Sequence, residues 1–344
     1  AVATRARVLG AIAAATILLV LGAGAIRIAQ IEHARDAAPH VKIALVQPSF
    51  DASDRWDAAR AKMMITRLTA LTKTAESRGA DLVVWPESAY PYTLPHGTRR
   101  SPYGDHAVLQ DGVHGPVLTG AYLSSREHGY NAAILATPDG AISKSYDKRH
   151  LLWFGETVPL ADVFPWLQKT FARGTGLAPG TEGVAFEVGP IRATVLNCYE
   201  DTLPVAGREA IELAPNLLVN VTNDAWFAGS AEGELHLRLA TLRAVELRRD
   251  LVRAVNKGPT SFVDAAGRVR ARYDEPFPAA VAVEPALLDA PPTLYARFGD
   301  WPFALLVAAS IALRFHKAQK ATGAGSTKER RPSSSKAEVT GSGP

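Results

Sequence analysis

The chain has 344 residues, 47% of them hydrophobic, with a formal net charge of +4 and a single cysteine. That length accommodates one large hydrophobic core of about 250 residues with additional segments, and one cysteine excludes an internal disulfide framework. The positive charge belongs to the two ends: residues 1–31 carry +3 and residues 314–344 carry +5, which leaves −4 for the segment between them. Because a nucleic-acid-binding protein needs a basic face on its folded domain, this distribution argues against that class.

An apolar segment occupies residues 8–26, where Thr16 is the one polar residue and arginines lie on both sides. About twenty apolar residues are needed to cross a bilayer as a helix. A signal peptide would have a shorter apolar core, and a buried helix of a soluble protein is rarely apolar on every face. Of these three interpretations we favour a transmembrane helix with a basic flank over residues 1–31.

Residues 41–296 alternate between strand-like and helix-like apolar patterns. The predicted elements in chain order are a strand at 41–47, a helix from Ser53 to Gly79, strands at 82–85, 117–123, 130–137, 141–146 and 191–197, a helix at 205–213, a strand at 217–221, a helix at 235–253, and strands at 253–256 and 260–264. A hairpin turn is expected at Pro138-Asp139-Gly140. This alternation predicts an α/β fold, but it does not separate a doubly wound sheet from other α/β architectures.

A second apolar run, from Trp301 to Leu313, is short enough to be a core or interfacial helix as well as a membrane segment. Its aromatic start and the basic residues from Arg314 onward favour a membrane helix over residues 301–316. The residues that follow, 317–344, are rich in Gly, Ser and Lys and are predicted to be disordered. Basic residues outside both apolar segments predict that both termini lie in the cytoplasm and that the domain between them lies on the opposite side.

Three side chains suited to covalent catalysis stand at or just after the ends of apolar runs: Glu87, Lys148 and Cys198. A carboxylate can take the proton of a thiol, and an ammonium can stabilise both the thiolate and a developing oxyanion. Taken alone, Cys198 would be better explained as an inert buried cysteine. The other two residues favour a nucleophilic site instead.

Short motifs surround these residues. They are Trp85-Pro86-Glu87, residues 146–151 followed by Phe154-Gly155-Glu156, Cys198-Tyr199-Glu200, and the segments 220–227, 236–246 and 253–258. Together they resemble the carbon-nitrogen hydrolase, or nitrilase, superfamily, and within it the apolipoprotein N-acyltransferase family. The resemblance covers roughly residues 41–301 and implies a four-layer αββα sandwich, at 41–296, with flanking transmembrane helices. Two departures from the family pattern are Trp153 in place of a proline and Arg248-Arg249-Asp250 in place of a glycine-arginine-proline run.

The resemblance also implies a role for each site residue. Glu87 would be the general base, Lys148 the electrostatic stabiliser and Cys198 the nucleophile. Glu156 corresponds to the second glutamate of the family's site, and the backbone N–H of Tyr199 would help to hold the oxyanion.

Other candidates allow two interpretations. Asn131 is either a structural amide or a substrate contact, and Glu200 either forms local hydrogen bonds or tunes the thiol. Five aromatic residues either pack locally or contact lipid and membrane: Trp153, Phe164, Trp166, Trp226 and Phe227. Asn223 and Asp224, with Glu232 and His236, could suggest a metal site, but they match no known ligand spacing, so we predict a polar loop beside the site and no metal.

The resemblance therefore implies an acyltransferase of the bacterial inner membrane, with its catalytic domain on the periplasmic side and no cofactor. It would move an acyl chain from a phospholipid, through a thioester on Cys198, to the N-terminal amine of a diacylglyceryl-modified apolipoprotein. Two alternatives stay open. One is a membrane-tethered amidase of the same fold, and the other is a silent membrane-anchored binding module, since the family carries several N-terminal helices that this sequence lacks.

Overall fold

Two stacked β-sheets form the centre of the structure, a computed structural model that describes residues 2–160, 163–171, 176–227 and 229–326. Within these residues the strands are β1 (Ile43–Gln47), β2 (Leu82–Val84), β3 (Thr93–Pro95), β4 (Val117–Ser124), β5 (Gly129–Ala136), β6 (Tyr146–Asp147), β7 (Ala185–Val188), β8 (Ile191–Asn197), β9 (Leu217–Thr222), β10 (Leu251–Val255), β11 (Thr260–Val263), β12 (Val269–Tyr273) and β13 (Ala279–Val283). The helices are α1 (Val2–Ala37), α2 (Ala61–Ser77), α3 (Pro165–Phe171), α4 (Pro204–Ile211), α5 (Glu232–Leu247), α6 (Leu294–Phe298) and α7 (Trp301–Ser326).

The two sheets have related topologies. The first has the strand order β13-β1-β2-β4-β5-β6, with β3 paired to β4, and the second has the order β12-β11-β10-β9-β8-β7. Each has a parallel centre, made of β1, β2 and β4 in the first sheet and β8, β9 and β10 in the second. The residues that follow β2 and β8 therefore stand at the carboxyl edges of these parallel centres, where α/β sheets commonly place functional side chains.

Apolar packing divides the domain into four layers. The inner faces of the sheets share one cluster, to which Leu45 contributes from the first sheet and Val195 from the second. The outer face of the first sheet packs against Leu68 of α2, and Leu218 of the second sheet packs against Ala240 of α5. The central strands are buried on both faces and are mostly apolar, and buried polar side chains within them, such as Asn220 and Arg253, form hydrogen bonds. The predicted four-layer αββα sandwich is confirmed.

The predicted start of α2 was wrong. The helix begins at Ala61, and two short 3-10 turns, Asp54–Trp56 and Ala58–Arg60, precede it. The side chain of Ser53 makes no capping hydrogen bond, whereas Asp57 has an extended backbone and its carboxylate accepts from Ala59 N at 2.9 Å. The sequence pattern predicts one continuous helix from Ser53, but the extended backbone at Asp57 interrupts it before Ala61.

Three further boundaries differ from prediction. Helix α5 ends at Leu247 because Arg248 has a left-handed backbone, with φ 54°. In the hairpin after β5, the Ser143 hydroxyl accepts from Leu135 N, so ladder pairing is interrupted and β6 is only Tyr146–Asp147. Helix α7, in a separate unit that starts at Phe298, continues to Ser326, so residues 317–326 are helical and not disordered as predicted. The good helix formers at 317–321, Lys-Ala-Gln-Lys-Ala, favour this extension. Residues 327–344 lie outside the described residues.

Several strands were missed by the sequence patterns. Strand β12 is mostly exposed and carries two arginines, Arg270 and Arg272, in five residues, and β13 contains three alanines, which have weak strand propensity. Both are held by pairing with neighbouring strands, since β12 pairs with β11 and β13 with β1. Their formation depends on tertiary context that local sequence does not contain.

Helix α1 is the described helix that is long and apolar enough to cross a membrane, over Thr4–Ala37 with a mean hydropathy of 2.3 in its most apolar window. Its apolar side chains from Val8 to Ile26 are exposed. Within the described residues α7 does not meet the same criterion, and Arg314, His316 and Lys317 lower the hydropathy of its second half.

The carboxyl-terminal part of α1 packs on the two-sheet domain. Arg35 donates from Nε to Asp250 Oδ1 at 2.9 Å and from Nη2 to Oδ2 at 3.0 Å, and both residues are buried. Asp250 also accepts from Ala265 N and Ala286 N. A buried bidentate ion pair with further backbone hydrogen bonds fixes geometry strongly. The departure from the family's glycine-arginine-proline run thus supplies the carboxylate that binds α1.

Candidate active site

The three predicted catalytic side chains come together at one site. Glu87 lies three residues past the end of β2, Lys148 follows β6 directly, and Cys198 follows β8 directly. Glu87 and Lys148 are buried, and Cys198 is half-buried. Side chains from both sheets thus converge at strand ends, which are rigid positions for chemistry.

Lys148 bridges two carboxylates. Its Nζ lies 2.8 Å from Glu156 Oε2 and 3.5 Å from Glu87 Oε1. Asn131 Nδ2 donates to Oε1 of Glu87 and to Oε1 of Glu156, each at 2.7 Å. The ammonium and the amide hydrogens offset the repulsion between two buried carboxylates. Asn131 therefore holds the two glutamates at a fixed spacing, and its predicted contact with substrate stays a prediction.

This arrangement shifts the pKa values of the base and the ammonium. Burial raises the pKa of Glu87, Lys148 opposes the effect, and the net pKa lies above the ordinary value of a glutamate. Burial lowers the pKa of Lys148, but Cys198, Glu87 and Glu156 together outweigh burial, so the pKa lies well above that of an ordinary lysine. Lys148 therefore stays an ammonium, and Glu87 is a stronger base than an exposed carboxylate.

Cys198 has a left-handed backbone, with φ 54°, which is rare for a residue with a side chain. It begins a 3-10 turn, Cys198–Thr202, directly after β8. Burial raises the pKa of the thiol well above its ordinary value, and Glu87 raises it further while Lys148 lowers it. The resting cysteine is thus a neutral thiol, and the carboxylate of Glu87, whose charge acts on it, is the candidate to take its proton.

Glu200 connects the turn of Cys198 to the loop of Lys148. Its fully buried carboxylate accepts four hydrogen bonds, from Tyr146 Oη, Arg149 N, His150 N and Asn197 N, at 2.7 to 2.9 Å. Of the two predicted possibilities, local hydrogen bonding is the one that these contacts show. The ring of Tyr199 lies 5.6 Å from Lys148 Nζ, which adds a cation–π contact on the same side.

An ion-pair network that spacing did not predict joins the same turn to the loop after β9. His236 Nε2 lies 2.9 Å from Asp201 Oδ1, and Nδ1 lies 3.1 Å from Asp224 Oδ1. Burial lowers the pKa of His236, but Asp201 and the hydrogen bonds to both carboxylates outweigh burial and raise the pKa to about 10. At neutral pH the ring is an imidazolium that donates from both nitrogens. Asp201 also accepts from Arg253 Nε at 3.0 Å.

Part of this network has the composition of a metal site. Asp224, Glu232 and His236 each offer one ligand atom, and these atoms lie within 4.8 Å of one another. Both ring nitrogens of His236 face carboxylates, so these residues form an ion-pair network in the structure.

A cavity of about 580 Å³ opens at Cys198. Its lining residues are Ala52, Arg55, Glu87, Ser88, Tyr122, Lys148, Leu152, Phe154, Gly155, Glu156, Leu177, Cys198, Asn223, Trp226 and Phe227. Of the five predicted lipid contacts, Trp226 and Phe227 line this cavity. Trp153, Phe164 and Trp166 are exposed and are not among the described residues that line it.

Two glycines support the site and were missed by sequence reasoning. A Cβ on Gly120 would lie 2.4 Å from Ser88 N and 2.6 Å from Glu87 Cα, and one on Gly180 would lie 2.1 Å from Asp147 O. The backbones next to Glu87 and Lys148 therefore approach as closely as only glycine permits. A glycine inside the apolar strand pattern of β4 was the available signal for the first of them.

Sequence comparison identifies relatives of the chain. Residues 42–276 match the carbon-nitrogen hydrolase family. The apolipoprotein N-acyltransferase of Geobacter metallireducens is 32% identical over 297 residues, which cover 83% of this chain and 56% of the relative. That of Bradyrhizobium diazoefficiens is 34% identical over 324 residues, which cover 84% of this chain and 56% of the relative. The chain thus spans little more than half the length of these two relatives.

Solved structures share the fold at lower identity. A CN-hydrolase superfamily protein from Xanthomonas campestris aligns with a TM-score of 0.52 and 19% identity, over 71% of this chain and 91% of that one. An amidase from Nesterenkonia sp. AN1, in complex with acrylamide, aligns with a TM-score of 0.54 and 19% identity, over 75% of this chain and 93% of that one. At this identity the likeness shows the fold alone. By its family match and its relatives, the chain belongs to the carbon-nitrogen hydrolases and, within them, to the apolipoprotein N-acyltransferases, a family of membrane enzymes.

Proposed function

We propose that the chain catalyses acyl transfer from a phospholipid to the N-terminal amine of a diacylglyceryl-modified apolipoprotein, with Cys198 as nucleophile, Glu87 as base and Lys148 as electrostatic stabiliser. The observation that carries the proposal is the position of the thiol: Cys198 lines the same cavity as Glu87, Lys148 and the apolar residues Trp226 and Phe227. Such a cavity suits an ester with a long apolar chain better than a small polar amide.

The first half-reaction forms a thioester. Glu87 accepts the thiol proton of Cys198, and the sulfur attacks the ester carbonyl of the phospholipid. Lys148 and the backbone N–H of Tyr199 stabilise the negative charge on the carbonyl oxygen. When the carbon–oxygen bond breaks, Glu87 returns the proton to the departing glycerol oxygen, and a lysophospholipid leaves.

The second half-reaction uses the same groups in reverse. The neutral α-amine of the modified cysteine attacks the thioester, and Glu87 accepts the proton that the nitrogen loses. The carbon–sulfur bond then breaks, and Glu87 returns the proton to Cys198, which restores the resting thiol. A thioester suits this step because it keeps the reactivity that an amine needs, and no step requires a cofactor.

Acyl donor and acceptor are tested together. Full-length protein incubated with phosphatidylethanolamine is expected to gain one fatty-acyl mass, labile to hydroxylamine, on the peptide that contains Cys198. A diacylglyceryl-cysteinyl peptide should then remove the acyl group and become N-acylated, while water should remove it only slowly, as mass spectrometry would show. The Cys198→Ala variant is the control. Hydrolysis of small amides, with Cys198 unmodified by phospholipid, would establish the amidase instead, and no modification by either substrate would indicate a binding module.

We also propose that the catalytic domain lies on the periplasmic side of the inner membrane, with both basic ends in the cytoplasm. Arg5 and Arg7, which precede the first apolar segment, and the +5 charge of residues 314–344, which follow the second, support this orientation. Alkaline phosphatase, which is active only outside the cytoplasm, is expected to be active when fused near Gly104 and inactive when fused after Lys317. Green fluorescent protein at the same two positions should give the opposite pattern. Phosphatase activity from the second fusion would contradict the proposed orientation.

A further inference from the structure

Arg55 brings a positive charge into the cavity of Cys198. It lies in the 3-10 turn Asp54–Trp56 between β1 and α2, and its half-buried side chain lines the cavity. The guanidinium lies 5.0 Å from the ring centroid of Tyr122, and Nη1 donates to Pro91 O at 2.5 Å. The aromatic ring and the carbonyl orient the planar group, which leaves little to be ordered when a ligand binds.

The charges around the cavity make this arginine useful for an anion. Among the described lining residues, the carboxylates are Glu87 and Glu156 and the cations are Lys148 and Arg55. Lys148 is within ion-pair distance of both carboxylates, so the three groups together carry a net negative charge. An anionic substrate that approached Cys198 would be repelled by these groups unless a second cation faced it. Arg55 is in the position to supply that charge.

The surroundings of Arg55 support the same conclusion. Burial lowers the pKa of the guanidinium, and Tyr122 and Tyr90 only partly oppose this. A cation that is partly removed from water gains from an anion placed against it, and a planar guanidinium matches phosphate oxygens with two parallel hydrogen bonds.

We propose that Arg55 binds the phosphodiester of the acyl donor and thereby selects phospholipids over uncharged acylglycerols, an inference that rests on the proposed function. In a phospholipid the phosphodiester and the ester attacked by Cys198 belong to the same glycerol unit. A phosphate-binding cation must therefore share the cavity of the nucleophile, as Arg55 does. Its role is substrate specificity in the first half-reaction, before the lysophospholipid leaves.

The test compares two donors with identical acyl chains, phosphatidylglycerol and diacylglycerol, in detergent micelles with full-length protein. The measurement is kcat/KM for acylation of Cys198. In Arg55→Gln the preference for phosphatidylglycerol should fall about 10- to 100-fold, mainly through KM, because a hydrogen-bonded charge pair is lost. Arg55→Lys keeps the charge but not the planar fork, and should restore part of the preference.

Arg60 provides a matched control in the same segment. Its exposed side chain forms ion pairs with Asp54 and Asp57, at 3.0 and 3.7 Å, so Arg60→Gln disturbs the turn without removing a cavity charge. The preference should be unchanged in Arg60→Gln. An unchanged preference in Arg55→Gln, or an equal loss in Arg60→Gln, would overturn the proposal.

A binding measurement separates this inference from the proposed function. Calorimetry of Cys198→Ala with dihexanoyl phosphatidylglycerol should show binding that weakens 10- to 100-fold when Arg55→Gln is added. Binding that depends on Arg55 without acylation of the parent would support the phosphate site and reject the acyl transfer. If the parent is acylated and its binding does not depend on Arg55, the acyl transfer would be supported and the phosphate site rejected. If the parent shows neither binding nor acylation, the phosphate site and the acyl transfer would both be rejected.

Discussion

Glu87→Gln, Lys148→Met and Cys198→Ala are each expected to lower the rate of acyl transfer roughly 10³-fold or more. Cys198→Ala removes the atom that forms the thioester. Glu87→Gln keeps the shape of the side chain but cannot accept the thiol proton of Cys198. Without a base that proton is hard to remove, because burial raises the pKa of the thiol well above its ordinary value. Lys148→Met leaves Glu87 and Glu156 without their shared ammonium, and it removes the charge that stabilises the thiolate.

The same three variants should behave as one unit. Because the groups act on a single proton transfer and a single bond, a double variant should be hardly slower than the slower of its two parents.

Lys148→Met should also destabilise the fold by about 3–5 kcal/mol, since it breaks a buried ion pair. The measurements are single-turnover acylation by mass spectrometry and thermal unfolding. Lys144→Met, which removes an exposed lysine paired with Glu182, is the control and should retain full activity. Activity within a few-fold of the parent in a folded Glu87→Gln or Lys148→Met variant would contradict the assigned roles.

Gly120→Ala is expected to lower activity about 100-fold with no change to any polar group of the site. The added methyl would lie 2.4 Å from Ser88 N and 2.6 Å from Glu87 Cα, which are backbone atoms that cannot rotate away. The segment that carries Glu87 must therefore move, and a displacement of about 1 Å is enough for such a loss. Overpacking should cost about 1–3 kcal/mol of stability in addition.

The control for this variant is Gly115→Ala. There the added methyl would meet the end of the Glu76 side chain, at 3.2 Å, and a flexible side chain can move aside. Acylation rates and unfolding temperatures of both variants should be compared with the parent. If Gly120→Ala retained activity as well as Gly115→Ala does, the close approach of β4 to the Glu87 segment would have no bearing on catalysis.

The catalytic core was more accessible to sequence reasoning than its surroundings. Strands β2 and β8 are buried on both faces, so their apolar runs can be recognised in the sequence. Glu87 and Cys198, which follow these runs, have side chains that are suited to covalent catalysis. The convergence of Glu87, Lys148 and Cys198 came from the resemblance to a family, because strand order between two sheets cannot be obtained from hydrophobic periodicity.

The supporting contacts could not be predicted for a physical reason. Asp201, Asp224 and His236 are separated by up to 35 residues, and they lie in two different 3-10 turns and in helix α5. The sequence does not indicate whether the carboxylate of an Asp or Glu residue will contact a metal, a histidine or solvent. The same holds for Glu200, whose four donors come from two separate segments. Conversely, Ser53 was predicted as a helix N-cap because serine is common at that position, but its side chain makes no capping hydrogen bond. The capping side chain in this segment is that of Asp57.

In the proposed membrane orientation, the ion pair between Arg35 and Asp250 would set the distance between the domain and the bilayer. Helix α1 is continuous over Val2–Ala37, so Ile26, the last residue of its apolar segment, is joined to Arg35 by unbroken helix. At 1.5 Å per residue, that connection is about 14 Å long. A flexible tether would let the domain sample many heights and tilts above the lipid surface. A rigid helix fixed by a buried ion pair acts as a spacer of set length, and inserting or removing one residue within it would rotate the domain by about 100° around the helix axis as well as shifting its height.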